Sequence, residues 1–121
     1  MTDIVIVAGE PSGDQLAADL VERVTAVDPT IRFPGIAGPR MRAAGVNTWI
    51  DSDTLAVRGY AEVLSALPRI LRAKRELVDK TLALRPALYI GVDAPDFNLR
   101  VEKQLKAQGQ RTLHYVCPSF W

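Results

Sequence analysis

Residues 88–92, Leu-Tyr-Ile-Gly-Val, form an apolar run that stops at a carboxylate, Asp93, and a second carboxylate, Asp96, follows closely. Strands of an all-parallel sheet are covered on both faces, so they read as short continuous apolar runs and not as alternating ones. Ligands of such sheets sit beyond the carboxyl ends of the strands. Asp93 would stand at such an end. There an ionised carboxylate, which only accepts hydrogen bonds, takes a proton or holds a hydroxyl. That placement requires the remaining chain to build a sheet around it.

The rest of the chain alternates as such a sheet demands. Ile4–Ala8 is a second apolar run, rich in β-branched residues, and ends at Gly9. Gly-Glu-Pro-Ser-Gly-Asp follows at 9–14, where Ser12 and Gln15 have the spacing of a capping box. Leu16, Leu20, Val24 and Val27 then recur at helical spacing, and Asp28-Pro29 predicts the helix end. A strand is expected over 31–37, with Pro34 placing it near an edge or a bulge. A short helix over 40–44 closes at Gly45, and a short strand over 46–50 leads into a polar connection at 51–54. Tyr60–Leu84 has a helical pattern that Pro68 splits in two or kinks. Beyond the carboxylate strand the pattern predicts a helix over 98–108, stopped by Gly109, and a last strand over 112–116. The expected fold class is α/β, a parallel sheet of about five strands with helices on both faces.

Composition narrows the class of function. A chain of 121 residues holds one domain with a real core. Lys and Arg number 15 against 14 Asp and Glu, so the net charge of +1 provides no basic footprint for nucleic acid. Cys117 is the single cysteine, which excludes an intrachain disulfide and is compatible with a reducing compartment. His114 and Cys117 alone do not make a zinc site, and both read as strand-end packing. No metal and no cofactor is expected. The N-terminus lacks the basic region of a signal peptide and reads as the first strand. No apolar run approaches the roughly 18 residues of a membrane span, which leaves surface attachment open. The last residues, Cys-Pro-Ser-Phe-Trp at 117–121, read as a loop cut short on its way to further structure.

Five motifs have accumulated in order: Val-Ala-Gly-Glu-Pro-Ser-Gly-Asp at 7–14, Ala-Gly-Pro-Arg-Met at 37–41, Leu-Ala-Val-Arg-Gly-Tyr-Ala-Glu-Val-Leu at 55–64, Gly-Val-Asp-Ala-Pro-Asp-Phe-Asn at 91–98 and His-Tyr-Val-Cys-Pro-Ser-Phe-Trp at 114–121. Together they resemble the lipid-A-disaccharide synthase family along the whole chain. The resemblance implies an inverting glycosyltransferase of the two-domain GT-B type, built from Rossmann-like halves. Such an enzyme moves a diacylglucosamine 1-phosphate unit from its UDP carrier to a second diacylglucosamine 1-phosphate. It works as a peripheral protein on the cytoplasmic face of the inner membrane of Gram-negative bacteria. By this resemblance residues 1–121 are the N-terminal, acceptor-side domain, and the C-terminal donor-binding domain is absent, so the chain alone is expected to be inactive. The implied partners are the lipid acceptor, the UDP-linked donor through the absent half, and the membrane surface; a homo-oligomer stays open. The other reading is a small flavodoxin-like ligand-binding domain without catalysis.

The resemblance makes Asp93 the general base; without it, a strand-end Asp that caps the next turn is an even match. Asp96 either orients Asp93, holds the sugar or caps the next helix, and Asn98 reads as an N-cap. Glu10, Ser12 and Gly13 open a helix whose backbone N–H groups suit an anion. The loop lacks the spacing of a dinucleotide or P-loop motif, and Glu10 and Asp14 would repel a phosphate. A sugar hydroxyl is the better match. Val63, Leu64, Leu67, Ile70 and Leu71, with Val78, make an apolar stripe, and Arg69, Arg72, Arg75 and Lys80 lie around it. Such a stripe packs on the sheet, as amphipathic helices commonly do, or meets acyl chains and anionic lipid. Arg40 reads as a solvated surface arginine.

Overall fold

The computed structural model describes residues 2–57 and 60–115, apart from the side chains of Tyr60 and Ala61. The expectations for Val116 and Cys117 and for the closing aromatics lie outside these residues. Five strands, β1 (Ile4–Ala8), β2 (Pro34–Ala37), β3 (Asn47–Asp51), β4 (Leu88–Val92) and β5 (Thr112–Tyr115), form one sheet in the order β3-β2-β1-β4-β5. Every pairing is parallel. Four helices connect them: α1 (Pro11–Val27), α2 (Pro39–Ala43), α3 (Tyr60–Leu84) and α4 (Pro95–Ala107). The arrangement is a Rossmann-like α/β sheet.

Alternation along the central strands divides the core in two. Ile6 and Ala8 of β1 and Ile90 and Val92 of β4 pack with Ala17, Ala18 and Val21 of α1 and Met41 of α2. Val5, Val7 and Tyr89 point the other way, against Leu77 of α3 and Val101 and Leu105 of α4. A fully buried Leu or Val contributes roughly 1.5–3 kcal/mol, so each layer is a substantial source of stability. Helix α1 meets the sheet through small residues, Gly13, Ala17 and Ala18, while Val27 of the expected stripe is 87% exposed. Leu16, Leu20 and Val24 of that stripe pack against the same core from beside the small residues.

Helix starts differ from expectation. α1 begins at Pro11, with Glu10 as its N-cap and no side-chain cap, so the capping box at Ser12 does not form. α4 begins at Pro95 with Ala94 as N-cap, which places Asn98 inside the helix and not at its cap. In both cases a proline at the first helical position sets the start, because its fixed φ suits the helix and its missing N–H is one the helix leaves unpaired anyway. The long helical region is one helix and not two; Pro68 lies on its exposed side. Residues 52–55 form a 3-10 turn, where the Asp51 carboxylate accepts from the Asp53 N–H at 2.8 Å.

Pro34 starts β2, the position within a sheet that a proline tolerates. β2 is interior, and the expected irregularity appears as a register shift against β3 at Gly35/Ile36. Gly35 has φ +155, and a Cβ there would lie 1.8 Å from the Ile6 carbonyl oxygen. Gly109, at φ +82 after α4, has open space around it. Gly35→Ala is therefore expected to abolish folding, while Gly109→Ala costs about 1–2 kcal/mol for its left-handed conformation alone; urea unfolding of the two variants checks the contrast.

Candidate active site

The chain leaves β1 toward β2 and leaves β4 toward β5, on opposite sides. The reversal falls between the carboxyl ends of β1 and β4, which pair in register from Ile4↔Leu88 to Ala8↔Val92. This is the topological switch point, where sheets of this kind form their ligand crevice. α1 and α4 both start at this rim, one on each face of the sheet.

Asp93 is the first residue past β4 and is half-buried. Its N–H donates to the Tyr115 carbonyl at 2.9 Å, which carries the β4–β5 ladder one step beyond the strand. Asp93 has φ 50 and Ala94 has φ 43, two successive non-glycine residues in the left-handed region. Each costs about 1–3 kcal/mol, a type of strain that clusters at functional sites. The following proline favours extended backbone at Ala94, so it does not relieve this strain.

The structure brings Gly13 together with Asp93. A Cβ built on Gly13 would lie 3.2 Å from the Val92 carbonyl oxygen and 3.5 Å from the Asp93 Cβ. Gly9 stands beside Ala94 and Leu55 in the same way. Glu10 and Ser12, both exposed, open α1 on this rim, and Asp96, also exposed, lies in the first turn of α4. Asp96 therefore sits where a carboxylate complements the helix dipole.

Asp14 has a different task from the one its loop suggests. It is buried, and its carboxylate accepts from the N–H groups of Gly38 at 3.1 Å, Arg40 at 2.9 Å and Met41 at 3.0 Å. These are donors at the start of α2, so Asp14 caps a helix other than its own. Arg40 contributes its backbone there, and its residue is exposed as expected.

Sequence reasoning missed a polar layer beneath the rim. Tyr89 is fully buried, and its hydroxyl donates to Asn98 Oδ1 at 2.8 Å. One turn along α4, the buried Glu102 pairs with His114 of β5 at 2.8 Å. His114 is thus a hydrogen-bond partner of a buried carboxylate and not simple strand-end packing. The signal was Asn98 and Glu102 at helical spacing opposite Gly91, where an added Cβ would meet Glu102 Oε2 at 2.5 Å and Asn98 Cβ at 2.8 Å.

α3 turns Ala66, Ala73 and Leu77 inward. Val63, Leu64, Leu67 and Leu71 are exposed, Leu64 at 82%, and Ile70 is half-buried beside them. The stripe therefore faces outward over most of its length. Arg69 leaves the expected basic rim, because its guanidinium donates to the carbonyls of Thr54 at 2.8 Å and Ala56 at 2.7 Å. Lys80 also leaves it, pairing with Glu76 and lying over the Trp49 ring. A hollow of about 540 Å³, lined by Asp51, Thr54 and Arg69, opens at the carboxyl end of β3, on the Asp93 side of the sheet. Another, of about 380 Å³, is lined by Asp3, Phe33 and Trp49. Neither reaches Asp93. Among the described residues no cluster of His, Cys, Asp or Glu suits a metal, and no helix is long and apolar enough to cross a membrane.

Fold and rim together define a doubly wound α/β domain with a carboxylate at its switch point. Residues 4–121 match the family model described as lipid-A-disaccharide synthetase. The chain is 52% identical over 118 residues to a lipid-A-disaccharide synthase of Glaesserella parasuis, and 52% identical over 118 residues to one of Haemophilus influenzae strain PittEE. It is 50% identical over 118 residues to one of Sodalis glossinidius. These alignments cover 98% of this chain and 30%, 30% and 31% of the relatives. The chain belongs to the lipid-A-disaccharide synthase family and spans about 30% of the length of these relatives.

Burial, with the nearby Glu102 charge second, pushes the Tyr89 phenol well above its usual 10.0. The folded state thus holds a proton that the unfolded chain releases near pH 10, and stability is lost as pH rises past that point. Tyr89→Phe is expected to lower stability at neutral pH by about 1 kcal/mol. It should also flatten the alkaline decline by up to about 1.4 kcal/mol per pH unit above 10, measured by urea unfolding between pH 8 and 11.

Proposed function

We propose that this chain is the N-terminal, acceptor-side domain of an inverting GT-B glycosyltransferase that makes the disaccharide of lipid A, with Asp93 as general base. The observation that carries the reading is the position of Asp93: half-buried, one residue past β4, at the switch point of a sheet that belongs to this family. The carboxylate takes the proton of an acceptor hydroxyl while that oxygen bonds to the anomeric carbon of the donor. The bond from that carbon to the UDP oxygen breaks on the opposite face, which inverts the centre. UDP is a good leaving group, so one base suffices and no acid partner is required.

Glu10, Ser12, Gly13 and Asp96 are proposed to line the acceptor sugar. The acidic side chains at both helix starts favour hydroxyl groups over phosphate, since an anion there would meet like charge. A GT-B active site lies between two domains, so on this reading the cleft that Asp93 faces is completed by the other half. The donor nucleotide is assigned to the portion of the relatives beyond the matched segment, and the chain by itself is expected not to turn over. The free-standing flavodoxin-like reading loses its support with the family match. In the full-length protein, Asp93→Asn should lower kcat by about 10²–10⁴ with folding preserved. Near-normal turnover would remove Asp93 from the mechanism.

The exposed row on α3 supports contact with acyl chains and a membrane surface, which the family reading assigns to the cytoplasmic side of a Gram-negative inner membrane. Leu67→Ser combined with Leu71→Ser removes apolar area without touching the inward face. Sedimentation with anionic phospholipid vesicles should fall by roughly tenfold, as expected for the loss of about 1–2 kcal/mol of apolar burial. Unchanged sedimentation would end the membrane assignment.

A further inference from the structure

Asn98 has no part in the chemistry proposed above, and it caps nothing, yet it is sealed completely beneath the rim. A buried carboxamide must direct both of its ends to partners. Here Oδ1 accepts from the Tyr89 hydroxyl, while Nδ2 donates to the Asp93 carbonyl at 2.9 Å and approaches the Val7 and Val92 carbonyls at 3.4 Å each. Turned by half a rotation, the amide would face three carbonyl oxygens with its own oxygen. The carbonyls at one end and the Tyr89 hydroxyl at the other together fix the orientation of the group.

The carbonyl held most tightly belongs to a residue in an unfavourable conformation. Asp93 and Ala94 are both left-handed, and such residues persist only where surrounding bonds over-determine them. The Asn98 N–H adds a bond to the Ala94 carbonyl at 2.9 Å. Gly91 makes the approach feasible, because any side chain there would collide with Asn98 and Glu102.

We propose that Asn98 is the positioning residue for Asp93: its carboxamide, aimed by the Tyr89 hydroxyl, holds the left-handed turn that presents the Asp93 carboxylate at the rim. This rests on the reading of Asp93 as the proton acceptor. The test uses the full-length protein with four variants, Asp93→Asn, Asn98→Ala, the two combined, and Tyr89→Phe. Asn98→Ala is expected to lower kcat about 100-fold, the scale of a misplacement near 1 Å, with KM nearly unchanged. It should add little to Asp93→Asn, since the amide acts through that carboxylate. Tyr89→Phe, which takes the donor from Oδ1 but leaves Nδ2 on its carbonyls, loosens the amide and should lower kcat by a smaller factor.

Wild-type kcat in a folded Asn98→Ala protein overturns the proposal. So does a loss that multiplies in full with that of Asp93→Asn. If Asn98→Ala does not fold, Tyr89→Phe decides: a reduced kcat at unchanged KM supports the role, and an unchanged kcat overturns it. Near-normal turnover of Asp93→Asn alone is a separate failure. It withdraws the base itself, and with it any catalytic role for its positioning.

Discussion

The in-register parallel ladder between β1 and β4 is the constraint on which the rest depends. Because the two strands end level with one another, the turns that follow them emerge side by side. Because their residues alternate between two apolar layers, α1 and α4 are obliged to start on opposite faces of the sheet. The rim is therefore a product of packing. Residues far apart in the chain, Gly13 and Asp93, become neighbours through the burial of Val5, Ile6, Val7, Ile90 and Val92.

Polar groups under the rim make the geometry specific. A buried polar group without a partner costs roughly 1–3 kcal/mol, so each one narrows the set of arrangements the chain tolerates. Asp14 binds the start of α2 to α1 through three N–H groups. Glu102 joins α4 to β5 through His114. Buried charges of this kind add little net stability over apolar packing, yet removal of one partner is costly. Their effect is to fix which helix lies where.

Much of the fold was legible in the sequence, for physical reasons particular to each element. Strands covered on both faces are uninterrupted apolar runs, so Ile4–Ala8 and Leu88–Val92 announce themselves with their true limits. Gly45 and Gly109 end α2 and α4 as expected, at φ +105 and +82. Helix starts were harder to see. Ser12 and Asn98 are good caps in isolation, but Pro11 and Pro95 precede them and start the helices earlier. Leu16, Leu20 and Val24 of the α1 stripe do pack on the core, but the residues nearest the sheet are Gly13, Ala17 and Ala18, to which hydrophobic periodicity gives little weight. The position of Asp93 could be read from the end of its strand. Its left-handed backbone and its link to Asn98 could not, since both come from contacts of the folded chain.

Three helices of this domain, α1, α2 and α4, begin with proline directly after a strand-ending turn: Pro11, Pro39 and Pro95. Proline restricts its own φ and the conformation of the residue before it. Part of the freedom of the turns before Pro11 and Pro39, where Glu10 and Gly38 are extended, is thus removed by covalent structure, already in the unfolded chain. A molecule that docks on the carboxyl edge of the sheet meets, at the starts of α1 and α2, loops that are partly set before it arrives. The entropic toll of ordering a binding surface, which weakens association at pliant sites, is lowered at those two turns.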